Sequence, residues 1–212
     1  MIAHNLDKVN ARINSVSHDQ VVQLIAVSKT RAAAELQLAV DAGQQHFGEN
    51  YLQEALEKIV TLQGRDLIWH FIGPIQSNKT SKIAKHFDWV HSVDRVKIAK
   101  RLGDQRLDSL GKLNILLQVN IDQEPTKSGF LLDEIEGAVL QIENLPNICL
   151  RGFMCIPSQA NPGQSFSKMA NLLAKYSTMD TLSMGMSQDL ELAVENGATF
   201  VRIGADIFGK RA

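Results

Sequence analysis

Eight short apolar runs, each followed by a longer amphipathic stretch, constrain this chain more than any other feature. VVQLIAVS (21–28) precedes AAAELQLAVDAG, whose leucines and valine recur at helical spacing and which stops at Gly43. QHFG precedes NYLQEALEKIVTL, and LIWHFIG precedes SNKTSKIAKHF. DWVHS leads into DRVKIAKRLGDQRL, with Asp94 as the expected N-cap. LNILLQVNI leads to LLDEIEGAVLQIENL, and ICLRGFMCI to SFSKMANLLAKY. DTLSMG comes before SQDLELAVENG, and TFVRIG before the short ADIFGK.

Several of these runs are continuously apolar, as parallel strands covered on both faces require. Strand, helix, strand repetition with short loops reads as α/β. Eight repeats favour a closed (β/α)8 TIM barrel over an open doubly wound sheet. A helix over residues 3–16 precedes the first unit as an extra element. No linker, low-complexity segment or charge block divides the chain, so residues 1–212 are expected to form one domain.

Composition narrows the function. With 22 basic and 23 acidic residues, a formal charge of −1, there is no global attraction to nucleic acid, and a small ligand is the better expectation. Cys149 and Cys155 fit neither a CxxC redox pair nor a zinc ribbon and read as reduced core residues. The N-terminus has helical periodicity with interspersed charge rather than a signal-peptide core, and no run reaches the 18 apolar residues of a membrane span. A cytoplasmic protein without membrane contact is expected.

In a barrel the residues just after each strand build the active face. Here they are polar: Ser28, Lys29 and Thr30 after the first run; Glu49 and Asn50 after the second; His70, then GPIQSNK, at the third. His91 and Ser92 follow the fourth, and Asn120 with DQEPTKSG the fifth. The turns after the seventh and eighth runs, GMSQD with Ser187 and RIGAD with Gly204, combine glycine with backbone N–H groups at helix starts. That combination suits a phosphate. A lysine at the barrel mouth, Lys29, can become nucleophilic toward an aldehyde. A Schiff-base lysine and a phosphate site on one face are the two anchors that pyridoxal 5′-phosphate needs. His70, between Trp69 and Phe71, reads as a core-lining or hydrogen-bonding histidine at this face, since no second ligand stands at metal spacing. Nothing in the sequence brings Glu49 and Asp122 together as a glycosidase pair.

AVSKT, FGENYLQEA, WHFIGPIQSNK, QVNIDQEPTKSGF, LRGFMCIP and TLSMGMSQDLELAVENGATFVRIGADIFGKR, in this order, resemble the YggS/PROSC family of pyridoxal phosphate homeostasis proteins. The resemblance implies a barrel of the alanine racemase N-terminal type that binds pyridoxal phosphate as an aldimine without established turnover. By it, Lys29 is the Schiff-base lysine and Asn50 lines the pocket. Ser187, Gly204 and Ala205 hold the phosphate, and Arg202 lies at the pyridine nitrogen or the phosphate. Lys127 in TKSG matches a lysine tied to cofactor exchange, and His70 joins the expected cofactor residues. Ala205 stands where many members carry Ser or Thr, and the segment from Pro157 to Phe166 is shorter than usual. The family further implies a monomer that serves pyridoxal-dependent apoenzymes. A pyridoxal-dependent racemase is the alternative, but it requires a second acid/base, commonly a tyrosine, and neither Tyr51 nor Tyr176 has an evident claim to that role. A Schiff-base aldolase would keep Lys29 and change the ligand.

Overall fold

The computed structural model describes residues 1–18 and 20–209. Helix α1 (Ile2–Ser17) comes first, then β1 (Gln23–Val27), α2 (Ala33–Asp41), β2 (His46–Glu49), α3 (Leu52–Thr61), β3 (Ile68–Phe71), α4 (Thr80–His86), β4 (Trp89–Val93) and α5 (Val96–Gln105). The second half runs β5 (Leu113–Val119), α6 (Ile135–Ile142), β6 (Ile148–Cys155), α7 (Pro162–Leu173), β7 (Thr181–Ser183), α8 (Leu190–Glu195), β8 (Phe200–Ile203) and α9 (Ala205–Phe208). The eight strands pair in sequence order, all parallel, and β8 closes on β1. The expected (β/α)8 barrel with its extra N-terminal helix is what the chain forms.

The two-residue period of a strand sorts the core into an inner and an outer part. In β1, Leu24 and Ala26 pack in the layer between sheet and helices, while Ile25 points inward to meet Trp89, Leu116, Met154 and Phe200. The helices cover the outside with apolar faces such as Ile98, Ala99 and Leu102 of α5. Helix α1 buries Leu6, Val9 and Ile13, and packs against α8, α9 and α2.

Local chemistry sets most boundaries. Gly43, at φ +93°, ends α2 as expected, and Pro162 opens α7 at a first-turn position where its missing N–H costs nothing. Two expectations need correcting. Asp94 does not cap α5, because Arg95 is the extended residue at that terminus and no side chain caps it. The helix expected from Ser187 begins only at Leu190, because the Asp189 carboxylate accepts the Met186 N–H at 2.6 Å and closes a turn ahead of it. The last helix ends at Phe208, with Gly209 at φ +90° as its C-cap, and Lys210 of the expected ADIFGK run lies outside the described residues.

Candidate binding site at the barrel mouth

Lys29 sits two residues beyond β1, at the corner of a tight turn in which Arg31 N–H donates to Ser28 O. Thr30 occupies the third turn position at φ +63°, where glycine is the usual resident and a β-branched residue is strained. The turn is held from below. Glu54 Oε1 accepts the Thr30 N–H, and Lys58 donates to Glu54, to Ser28 O at 2.6 Å and to Glu49 Oε1 at 2.7 Å. Ser28 Oγ also donates to Glu49 Oε1 at 2.6 Å. Glu49 is fully buried and Lys58 is 4% exposed, so this is an ionic cluster inside the protein. Burial pushes the Glu49 carboxyl upward, against the opposing effect of its Lys58 and Ser28 bonds.

Above that cluster Lys29 lines a cavity of about 400 Å³. Asn50, Ser187, Arg202, Gly204 and Ala205 line it as well, so six of the sequence-expected residues converge there. Gly73 permits part of this arrangement: a Cβ on it would stand 2.2 Å from Asn50 O, and the close approach seats Asn50 at the rim. Asn50 Oδ1 is buried without a hydrogen-bond partner in the described structure. At the far wall, Gly185 has φ +92°, and a Cβ there would come within 2.5 Å of Ala193 Cβ. Only glycine lets the loop carrying Ser187 run this tightly against α8.

Arg202 forms part of the floor and is 5% exposed. Its Nη1 donates to Ser183 Oγ at 2.7 Å and its Nη2 to Cys155 O at 2.9 Å. Below it runs a row of rings, His91 and His70 fully buried and His46 half-buried: His91 Nδ1 meets Ser183 Oγ at 2.8 Å, His70 Nδ1 meets His91 Nε2 at 2.9 Å, and His46 Nδ1 meets His70 Nε2 at 2.9 Å. A guanidinium can only donate, so Ser183 gives its own proton to His91 Nδ1. Each neutral imidazole then donates through Nε2 to the next ring. Burial pushes His70 and His91 well below the usual histidine range, with the Arg202 guanidinium adding to it at His91, and burial also lowers His46. The row is therefore neutral at pH 7.

Two expected residues lie elsewhere. His70 is inside the barrel as a member of this row, not on the cavity wall, which matches its core-lining reading. Lys127 lines an adjoining cavity of about 290 Å³ with Asp94, Gln118 and Asn120; the two cavities meet at Asn50, Ile72 and Ile156. Its Nζ contacts Glu124 at 2.6 Å and donates to Ile156 O at 3.1 Å. Glu49 and Asp122 do not meet. Asp122 accepts from Ser158 N–H and Ser165 Oγ, in the loop after β6 and the start of α7. Cys155 is buried, with its thiol pushed up to about 12 by burial, and Cys149 is half-buried and unpaired. No helix among the described residues is long and apolar enough to cross a membrane.

Fold and site define a class: the model of the alanine racemase N-terminal domain matches residues 1–212. Solved alanine racemases share the fold alone, as in the Clostridium difficile enzyme, with a TM-score of 0.74 at 13% identity over 97% of this chain and 57% of that one. Within the class, this chain belongs to the family of pyridoxal phosphate homeostasis proteins. The relative of that name from Pseudomonas aeruginosa is 50% identical across 99% of this chain and 96% of its own length. The one from Escherichia coli K12 is 44% identical across 99% and 97%. PipY of Synechococcus elongatus, solved with PLP bound, superposes with a TM-score of 0.87 at 36% identity, covering 99% of this chain and all of PipY.

Proposed function

We propose that this protein binds pyridoxal 5′-phosphate through Lys29 and holds it for intracellular cofactor homeostasis and delivery to apoenzymes, acting as a monomer and without turnover of its own. The observation that carries this reading is the convergence of Lys29, Ser187, Gly204, Ala205 and Arg202 on one cavity at the C-terminal end of the barrel. The cofactor supplies an aldehyde with which a lysine amine condenses reversibly.

The residues present fit that group. The Ser187 hydroxyl and the N–H groups opening α9, which no intrahelical carbonyl can reach, suit a phosphate. Ala205 offers no hydroxyl, so backbone N–H groups carry more of that contact. Arg202, anchored by Ser183 and Cys155 on the floor, is assigned to the ring-nitrogen end. Asn50 Oδ1 supplies an uncommitted acceptor at the rim. The tight turn Ser28–Arg31, tied to the ionic cluster below, limits where the Lys29 amine can go.

Names of close relatives and the PLP-bound form of PipY support the choice of cofactor. A non-catalytic role is favoured by the tyrosines: Tyr51 is 54% exposed, Tyr176 packs on Phe153, and neither lines the cavity. Titration of the protein with pyridoxal phosphate tests the reading. The expected result is a yellow complex whose visible band disappears on borohydride reduction and which does not racemise alanine or other amino acids. A colourless protein that takes up no cofactor contradicts the binding role, and appreciable racemisation contradicts the non-catalytic one.

A further inference from the structure

Helix α1 stands outside the eightfold repeat, yet one of its side chains reaches both loops of the proposed phosphate site. Arg12 Nη2 donates to Ser187 O at 2.9 Å and to Glu191 Oε2 at 3.0 Å, while Nε donates to Glu191 Oε1 at 2.6 Å. Its Nη1 donates to Asp206 Oδ2 at 2.8 Å. Ser187 belongs to the connection from β7 to α8, Glu191 to the first turn of α8, and Asp206 to the first turn of α9, directly after Ala205. A second tether from the same helix, Asn5 Nδ2 to Ile207 O at 2.9 Å, holds α9 in register with α1. The buried face of Leu6, Val9 and Ile13 fixes the helix that carries both.

The guanidinium fork is suited to this task. It presents donors in fixed directions and can bond a backbone carbonyl and two carboxylates in one plane, which an ammonium on a flexible stem cannot reproduce. Its charge is already matched by Glu191 and Asp206, so it contributes geometry to a phosphate rather than attraction.

We infer that Arg12 is a positioning residue for cofactor binding: it sets the separation of the Ser187 loop from the Gly204–Ala205 loop and thereby the preference for a phosphorylated pyridoxal over pyridoxal itself. This rests on the reading of those loops as the phosphate site. Arg12 does not line the cavity and acts through the loops it ties.

The test is to titrate pyridoxal phosphate and pyridoxal separately into wild type, Arg12→Gln and Arg12→Lys, following the visible band, with thermal unfolding of each protein alongside. Loss of hydrogen bonds to charged partners is expected to weaken pyridoxal phosphate binding roughly tenfold in both variants. Pyridoxal binding stays within about twofold, because it does not use the loops that Arg12 ties. Lysine does not rescue. Equal weakening of both ligands, or no weakening of either, overturns the role of Arg12. A wild-type protein with no preference between the two ligands overturns the phosphate-site reading as well. If Arg12→Gln does not fold, Asp206→Ala severs only the α9 arm and carries the same expectation with a smaller loss for the phosphorylated ligand.

Discussion

Beneath Lys29 the buried polar contacts are ionic, made by Glu49, Lys58 and Glu54, whereas beneath Arg202 they are a row of neutral groups, Ser183, His91, His70 and His46. Both assemblies seat one cavity residue, and the centre of each is fully buried, at Glu49 in one and at His70 and His91 in the other. The ionic cluster holds a strained turn, and it does so with a cation that three acceptors share. The neutral row holds a guanidinium through single hydrogen bonds passed from ring to ring. A buried ion pair is costly to break because the survivor keeps its charge, while a neutral row is cheaper to break but responds to protons.

The largest effect expected from this contrast is at Lys58. Lys58→Ala strands Glu49 in the interior and is expected to cost about 3–5 kcal/mol in denaturant unfolding. It should also weaken cofactor uptake, since the Thr30 turn loses its support. A loss below about 1 kcal/mol would mean that the cluster does not carry the turn.

Acidification separates the two assemblies next. The folded-state values of His46, His70 and His91 lie below the unfolded value of about 6.5, so the unfolded chain binds more protons and the stability these groups confer is lost as pH falls below that value. Glu49 runs the other way: its raised folded-state value makes the native protein the better proton acceptor and adds stability as pH falls. Three histidines outweigh one carboxyl, so stability should drop between pH 7.5 and 5.5, by up to about 1.4 kcal/mol per pH unit for each histidine. Measured by urea unfolding, His70→Gln should flatten that slope. A wild-type slope that is flat or reversed would mean that the row is not held neutral.

Gly185→Ala probes the loop that neither assembly supports. Its left-handed backbone and the nearby Ala193 Cβ imply a loss of about 1–3 kcal/mol, with a larger loss of affinity for the phosphorylated cofactor than for pyridoxal. The smallest effect is expected at Lys127. Lys127→Ala removes a half-buried ion pair with Glu124 in the neighbouring cavity and should change stability by less than about 1 kcal/mol. Its equilibrium affinity for the cofactor should stay near that of wild type. A large loss of affinity would join the second cavity to the first.

The barrel was legible because apolar runs report burial directly, and even QHFG, a four-residue run with one histidine, formed its strand. The mouth was legible for a related reason, since strand ends are fixed once strands are. The supports beneath it were not. Glu54 and Lys58 in EALEKIV stand one helical turn apart, and only the closing of β2 beside α3 buries Lys58 against Glu49. His46, His70 and His91 each fall on a successive strand, and that coincidence was the available signal for the row. Arg12 gave none, because its partners lie 175 to 194 residues away along the chain. Asp94 misled because an acidic residue before an amphipathic run resembles a cap, while the backbone turns one residue later.

Whether Lys29 is the residue that holds the cofactor is decided most directly by loading the protein with pyridoxal phosphate, reducing it with borohydride and mapping the labelled peptides by mass spectrometry. The expected result is one phosphopyridoxyl group, on the peptide containing Lys29, and none on that peptide in Lys29→Ala. A label on Lys58, Lys127 or any other lysine of the wild-type protein, with Lys29 unmodified, would contradict it.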